Sequence, residues 1–128
     1  MKKTILRRAL HLARTKNHCH PRDNGFRHFS FVVQNNKILE MGVNRVAEPL
    51  LYLGYSKFSG RHAEHDVLIK AKGIMDHSKP FEIINIRLNK RGEIRLSKPC
   101  KVCYSWLTTM NCKSIFYSTN EGFETITI

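Results

Sequence analysis

Two short pieces of this 128-residue chain carry residue types that can do chemistry together: His62-Ala63-Glu64 and Pro99-Cys100-Lys101-Val102-Cys103. Cys100 and Cys103 are three apart, so on the first turn of a helix their sulfurs share a face. Pro99 suits a helix start, having no amide hydrogen to lose and a fixed φ. Exposed amides and the positive end of the helix lower a thiol's pKa there, favouring the thiolates a metal needs. His62 stands at an equivalent start, so two helix N-termini can converge on one ion. Three N/S ligands with an open fourth position describe a catalytic Zn2+ site rather than a closed structural one. Glu64, two residues from a ligand, is then placed to take the proton of a water whose pKa zinc brings to about 7, and to pass it on.

The same residue types admit other arrangements. His65 lies three residues after His62, so His62, His65, Cys100 and Cys103 could form a closed structural site of two histidines and two cysteines. Against this, Glu64 would be idle, and a chain this long needs no metal staple. The run His18, Cys19, His20 could hold a second ion, although adjacent residues rarely converge. Cys112 reads as a buried thiol. Tyr52, Tyr55 and Phe58 could stack on bases, and could equally pack a long loop.

The elements that must position these pieces follow from periodicity. Ile5, Leu6, Ala9, Leu10 and Ala13 recur at helical spacing with Lys2, Arg7, Arg8 and Arg14 mostly elsewhere, predicting an amphipathic helix laid on a core. Residues 17–25 read as a loop. Phe29, Phe31 and Val33 alternate, and Asn35-Asn36 turns the chain into 37–43, giving a hairpin. Residues 44–61 read mostly as loop. Ala63, Val67, Ala71 and Ile74 predict a helix over 62–74. An Ile-rich strand over 81–88 leads through Lys90-Arg91-Gly92 into a short return strand. A helix over 100–110 and strands over 114–118 and 123–128 complete the chain. The order α-β-β-α-β-α-β-β predicts one α/β domain over 1–128, a mixed five-stranded sheet covered by helices in three layers. Only 119–122 separates the last two strands, too few residues for a parallel crossover, so the ending is antiparallel.

Length and composition agree with one soluble domain, at 41% hydrophobic and 25% charged residues, and no apolar run approaches a membrane span. Residues 1–16 lack a long apolar stretch and a cleavage site, so secretion is not indicated. Residues 1–22 are basic and acid-free, which would also suit a matrix-targeting segment. A reducing cytoplasmic setting is the default, where paired cysteines more often bind metal than bridge. The charge is lopsided: residues 1–37 carry nine basic residues and one acidic, in a chain of net charge +12. Such a field attracts phosphate, on a nucleotide or on nucleic acid.

The pair H-x-E … P-C-x-x-C is the signature of zinc nucleobase deaminases, and the sequence resembles the cytidine/deoxycytidylate deaminase superfamily over most of its length. The resemblance implies that His62, Cys100 and Cys103 bind zinc and that Glu64 shuttles the proton while hydroxide adds beside a ring nitrogen and ammonia leaves. It implies a cytidine-deaminase-like fold, with Ala63 between the motif's two ends lining the substrate pocket. Asn44 is similar to the family's asparagine that contacts the nucleotide. Tyr117, Ser118 and Thr119 open a stretch, running to Glu121, that is similar to the loop that helps choose the substrate. The family often forms homo-oligomers.

Two features divide the substrate question. A histidine as first ligand resembles the branches acting on deoxycytidylate, transfer RNA and polynucleotides, whereas the short antiparallel ending resembles free-cytidine and some toxin-type branches. The broad basic field, with Arg7, Arg8 and Arg14 at its centre, tips the expectation toward cytosine in single-stranded nucleic acid. A free cytidine nucleotide or nucleoside, adenine as the base, and a non-catalytic nucleic-acid-binding module with structural zinc are the alternatives.

Overall fold

The structure, a computed structural model, describes residues 1–19, 26–44 and 61–128. Strand β1 (Phe26–Gln34) and strand β2 (Lys37–Val43) form the expected hairpin. Asn35 and Asn36 both take positive φ, 53° and 59°. A two-residue turn needs that left-handed pair to match strand twist, and asparagine tolerates it. Strand β3 (Phe81–Asn89) pairs antiparallel with β1 and parallel with β5 (Cys112–Thr119). Strand β6 (Gly122–Thr127) returns antiparallel along β5, as the short connection requires. The two-residue strand β4 (Ile94–Arg95) folds back on β3. The sheet therefore has six strands rather than five, ordered β2-β1-β3-β5-β6 with β4 beside this path.

Helices cover both faces. On one, Ile5, Ala9 and Ala13 of α1 (Lys3–Cys19) pack on Phe29, Phe31, Ile84, Ile86 and Leu88. On the other, Val67, Leu68 and Ala71 of α2 (Ala63–Ala71) and Leu107 of α3 (Lys101–Thr109) pack on Val32, Ile83 and Ile115. Successive side chains of a strand point to opposite faces, so β3 feeds both layers from alternate residues. This is the expected three-layer α/β architecture.

Helix α2 is seated on β2 by two devices. A Cβ on Gly42 would stand 2.4 Å from the Val67 nitrogen and 2.6 Å from the Ala63 oxygen, so only glycine lets the strand come this close. One residue along, the Val43 amide donates to Asp66 Oδ2 at 3.0 Å, and Lys70 and Arg61 flank the same buried carboxylate. A helix dipole favours that negative charge in the first turn.

Two boundaries differ from expectation. Helix α1 runs to Cys19 rather than yielding at 17, because Asn17 Nδ2 donates to the Asn89 carbonyl at 2.9 Å and docks the last turn on the end of β3. Helix α2 stops at Ala71, and Ile74, read as the fourth apolar position, is 58% exposed. Instead the chain bends with Ile74 and Met75 amides both on the Ala71 carbonyl, and Met75 meets the core. The aromatic residues Tyr52, Tyr55 and Phe58, and the side chains of the His18-Cys19-His20 run, lie outside the described residues. Among the described residues, no helix is long and apolar enough to cross a membrane.

Candidate active site

The two chemically interesting pieces come together where α2 and α3 begin. His62 is the N-cap of α2 and Cys100 the N-cap of α3, both with extended backbone. His62 Nδ1 stands 3.6 Å from Cys100 Sγ and 3.4 Å from Cys103 Sγ. All three candidate ligand atoms lie within 4.8 Å of one another. A tetrahedral ion with bonds of about 2.0–2.3 Å sets neighbouring ligand atoms roughly 3.5 Å apart, so the trio has the right size for one. Cys103 is buried and Cys100 exposed, which leaves the centre open on one side.

The electrostatics prepare the thiols. The neighbouring Cys103, then His62, hold the Cys100 thiol down to about 3, against the effect of burial. The Cys103 amide donates to Cys100 Sγ at 3.4 Å, a sulfur cap on the helix start. The same contact raises the His62 pKa above its ordinary value, chiefly through its hydrogen bond to Cys100. Cys112 is the opposite case. Burial pushes it up to about 12, and its Sγ lies against the Ser114 carbonyl, as a structural thiol should.

His65 does not join the trio. It is buried on α2 with its ring edge-on to Trp106, centroids 5.9 Å apart, and burial lowers its pKa. The arrangement of two histidines and two cysteines around one ion is therefore not what the fold assembles.

Glu64 lies in the first turn of α2, 1% exposed. Its Oε2 accepts a hydrogen bond from Asn85 Nδ2 at 3.0 Å. Its Oε1 is buried and, among the described residues, has no hydrogen-bond partner. Asn85 also donates to the Ser97 carbonyl at 3.3 Å, and its own Oδ1 accepts from the Ser30 hydroxyl. Ser97 in turn ties the segment before Pro99 to the sheet: its Oγ donates to the Asn85 carbonyl at 2.8 Å and accepts from the Ser118 amide at 2.8 Å. A buried polar chain thus links the two motif pieces through the central strand. A buried polar group left alone is costly, so Glu64 Oε1 is the strained end of an otherwise bonded chain.

His28 lines the same face of β1, opposite Arg87 in register. Burial pushes its pKa down, against the pull of the Glu64 carboxylate, and Arg87 and His62 push the same way as burial. Its Nε2 is buried and has no hydrogen-bond partner among the described residues. Asn44 grips the His28 backbone from both sides, its amide donating to the His28 carbonyl at 3.2 Å and its Oδ1 accepting from the His28 amide at 3.0 Å. Periodicity gave no reason to single out His28, Ser30, Asn85 or Ser97. The available signal was a polar residue in the middle of the Ile-rich run 81–88, where a buried strand disfavours asparagine.

Ala63 is fully buried at the start of α2. Tyr117, Ser118 and Thr119 are in β5 and not in a loop, and each has a local partner. The Tyr117 hydroxyl donates to Glu124 at 2.8 Å, Ser118 Oγ donates to the Arg95 carbonyl at 2.7 Å, and Thr119 Oγ1 accepts from the Glu121 amide at 3.1 Å. Arg7, Arg8 and Arg14 are exposed on α1, across the sheet from His62 and Glu64, and Arg14 Nε donates to the Gly92 carbonyl at 3.0 Å.

No protein-family model matches the sequence, and no curated protein matches it. Solved structures do. The chain is similar to dCMP deaminase from the cyanophage S-TIM5, at 20% identity and TM-score 0.61 over 93% of this chain and 86% of that one. It is similar to cytidine deaminase from Burkholderia pseudomallei, at 18% identity and TM-score 0.65 over 99% and 93% of the two chains. Cytidine deaminase from Mycobacterium leprae matches at 17% identity and TM-score 0.57, over 95% and 90%. The chain has the cytidine-deaminase-like fold.

Proposed function

We propose that this protein is a zinc-dependent hydrolytic deaminase that converts cytosine to uracil in a cytidine nucleotide. One observation carries the reading. A buried carboxylate with one oxygen tied and the other untied stands two residues from a His-Cys-Cys trio of tetrahedral size. A histidine and two thiolates are a donor set that suits zinc, and three protein ligands leave a position for the reaction. When bound, zinc supplies the Lewis acidity that makes water a competent nucleophile near neutral pH.

The chain's own residues do the rest. Glu64 Oε1 passes the two protons of the attacking water in turn, the first to the ring nitrogen as the oxygen adds to the ring carbon and the second to the amine as its bond to that carbon breaks, so cytosine and water give uracil and ammonia. Asn44 holds the backbone of His28, whose ring feels the Glu64 carboxylate, and these two residues are proposed to meet the base and sugar. The solved proteins of this fold described above are named for deaminating dCMP and cytidine, which supports this substrate class.

The position of the basic helix shifts the balance between substrates. The arginines that made a polynucleotide attractive lie on the α1 face, with the sheet between them and Glu64. A nucleotide needs only one or two cationic contacts, and Lys98 and Lys101 are exposed on either side of Cys100. Single-stranded nucleic acid stays as the second reading, favoured by the exposed Arg7 and Arg8 for a strand that wraps the domain.

The test is a parallel assay on zinc-loaded protein with deoxycytidylate, cytidine, and single-stranded DNA and RNA oligonucleotides, with Glu64→Ala as control. A gain of about one mass unit, amine replaced by oxygen, is expected on the nucleotide and absent in the control. The same gain on oligonucleotides alone would replace the nucleotide reading by the polymer one. No change on any substrate with zinc bound would overturn deamination of cytosine.

A further inference from the structure

We infer that Asn85 is a positioning residue that ties one oxygen of Glu64 down and thereby assigns proton transfer to the other. The inference rests on the deaminase reading above and adds a residue that no part of the motif contains.

The orientation of the Asn85 amide is fixed by its surroundings. Two of its neighbours, the Glu64 carboxylate and the Ser97 carbonyl, can only accept, and both face Nδ2, at 3.0 and 3.3 Å. A flipped amide would set its oxygen against two acceptors, whereas the observed one also offers Oδ1 to the Ser30 hydroxyl. Ser30, Asn85 and Glu64 are all 1% exposed or less, so water does not compete for these bonds.

A donor already bound to Oε2 has a definite consequence for the proton. Oε2 cannot carry a hydrogen toward Asn85 without facing another hydrogen, so the proton that Glu64 holds during the reaction resides on Oε1. That is the oxygen left without a partner among the described residues. One oxygen anchors and the other works. Asn85 also spans the two halves of the site, since Glu64 belongs to the first motif piece and Ser97 lies two residues before Pro99 of the second. The two helix starts are thus registered to each other through a side chain on the sheet, and general acid–base catalysis depends on such placement.

The test uses the zinc-loaded full chain and two readouts. In the first, Asn85→Asp keeps the shape and the Ser30 partner while removing the donor. Its expected kcat falls about 10–100-fold with KM within about threefold and zinc content unchanged, because the proton carrier, not the substrate grip, is disturbed. Ser30→Ala removes only the bond that steadies Asn85, and its expected loss is a few-fold in kcat. The second readout is independent of turnover. In the nuclear magnetic resonance spectrum of the unmodified chain, the Asn85 side-chain amide protons should exchange slowly with solvent, and one should shift markedly in Glu64→Ala. Unchanged kcat in Asn85→Asp, or a KM rise at constant kcat, would overturn the assignment. A fast-exchanging Asn85 amide that ignores Glu64→Ala would overturn it even if the variants failed to fold. If the unmodified chain deaminates nothing, the reading of the reaction fails, and the amide signal still decides whether Asn85 holds Glu64.

Discussion

The two faces of the sheet are built from the same strands and solve different problems. On the α1 face, β1 and β3 offer Phe29, Phe31, Ile84, Ile86 and Leu88 to Ile5, Ala9 and Ala13. On the α2–α3 face, the alternate residues of those strands include His28, Ser30, Asn85 and Arg87. Burying apolar side chains stabilises at roughly 25 cal/mol per Å², whereas burying polar groups costs unless every one is bonded. The first face is a stability face with a charged exterior. The second accepts buried polar groups near the His-Cys-Cys trio, and among them Asn85, steadied by Ser30, holds Glu64. The arginines of α1 and the His-Cys-Cys trio are thus separated by the thickness of the sheet.

The largest test of this contrast is Glu64→Gln, which is isosteric. Turnover should fall by about 10²–10⁴-fold while zinc, measured by atomic absorption, stays bound. A loss of metal instead would make Glu64 part of the structure of the centre. On the other face, Leu88→Ala should cost about 2–5 kcal/mol in denaturant unfolding and leave kcat of the folded protein unchanged. If kcat falls with stability, the two faces are coupled.

A third test separates the thiols of the polar face. In metal-free protein at about pH 5, an alkylating reagent should modify Cys100, which its neighbours hold down to about 3, and spare Cys112, which burial lifts to about 12. The sign follows from the shifts: at that pH the first is a thiolate and the second a thiol. Mass mapping reads the result, and added zinc should protect Cys100. The smallest expected effect belongs to Arg7→Glu with Arg8→Glu. Deamination of a cytidine nucleotide should stay within about twofold, and only polyanion binding at low salt should weaken. A large loss on the nucleotide would bring the α1 face into the site.

Much of the site was legible because its signals are local. His62, Glu64, Cys100 and Cys103 sit within a few residues of a helix start, and spacing along one turn places them. The hairpin at Asn35-Asn36 and the antiparallel ending were legible for the same reason. The end of α1 was not, since Asn17 finds its partner Asn89 only in the folded chain. Asn85 was harder still. Its partners Glu64 and Ser30 are 21 and 55 residues away, and a lone asparagine in an Ile-rich strand has no pattern that announces what it bonds. The placement of the charge was not legible for a related reason: a sum over 1–37 says nothing about which side of a sheet the cations occupy.

Gly42 acts as a spacer of zero thickness. With β2 and α2 in backbone contact there, the height of the helix above the sheet is set by a hydrogen atom. The 3.0 Å bond from Asn85 reaches Glu64 of that same helix from β3, another strand of the same sheet. A methyl group at 42 would lift the helix by roughly 1 Å, beyond the range in which a hydrogen bond survives. The gauge for Glu64 is therefore cut at a position outside both motif pieces, and the geometry of the candidate site depends on a residue that the motif does not contain.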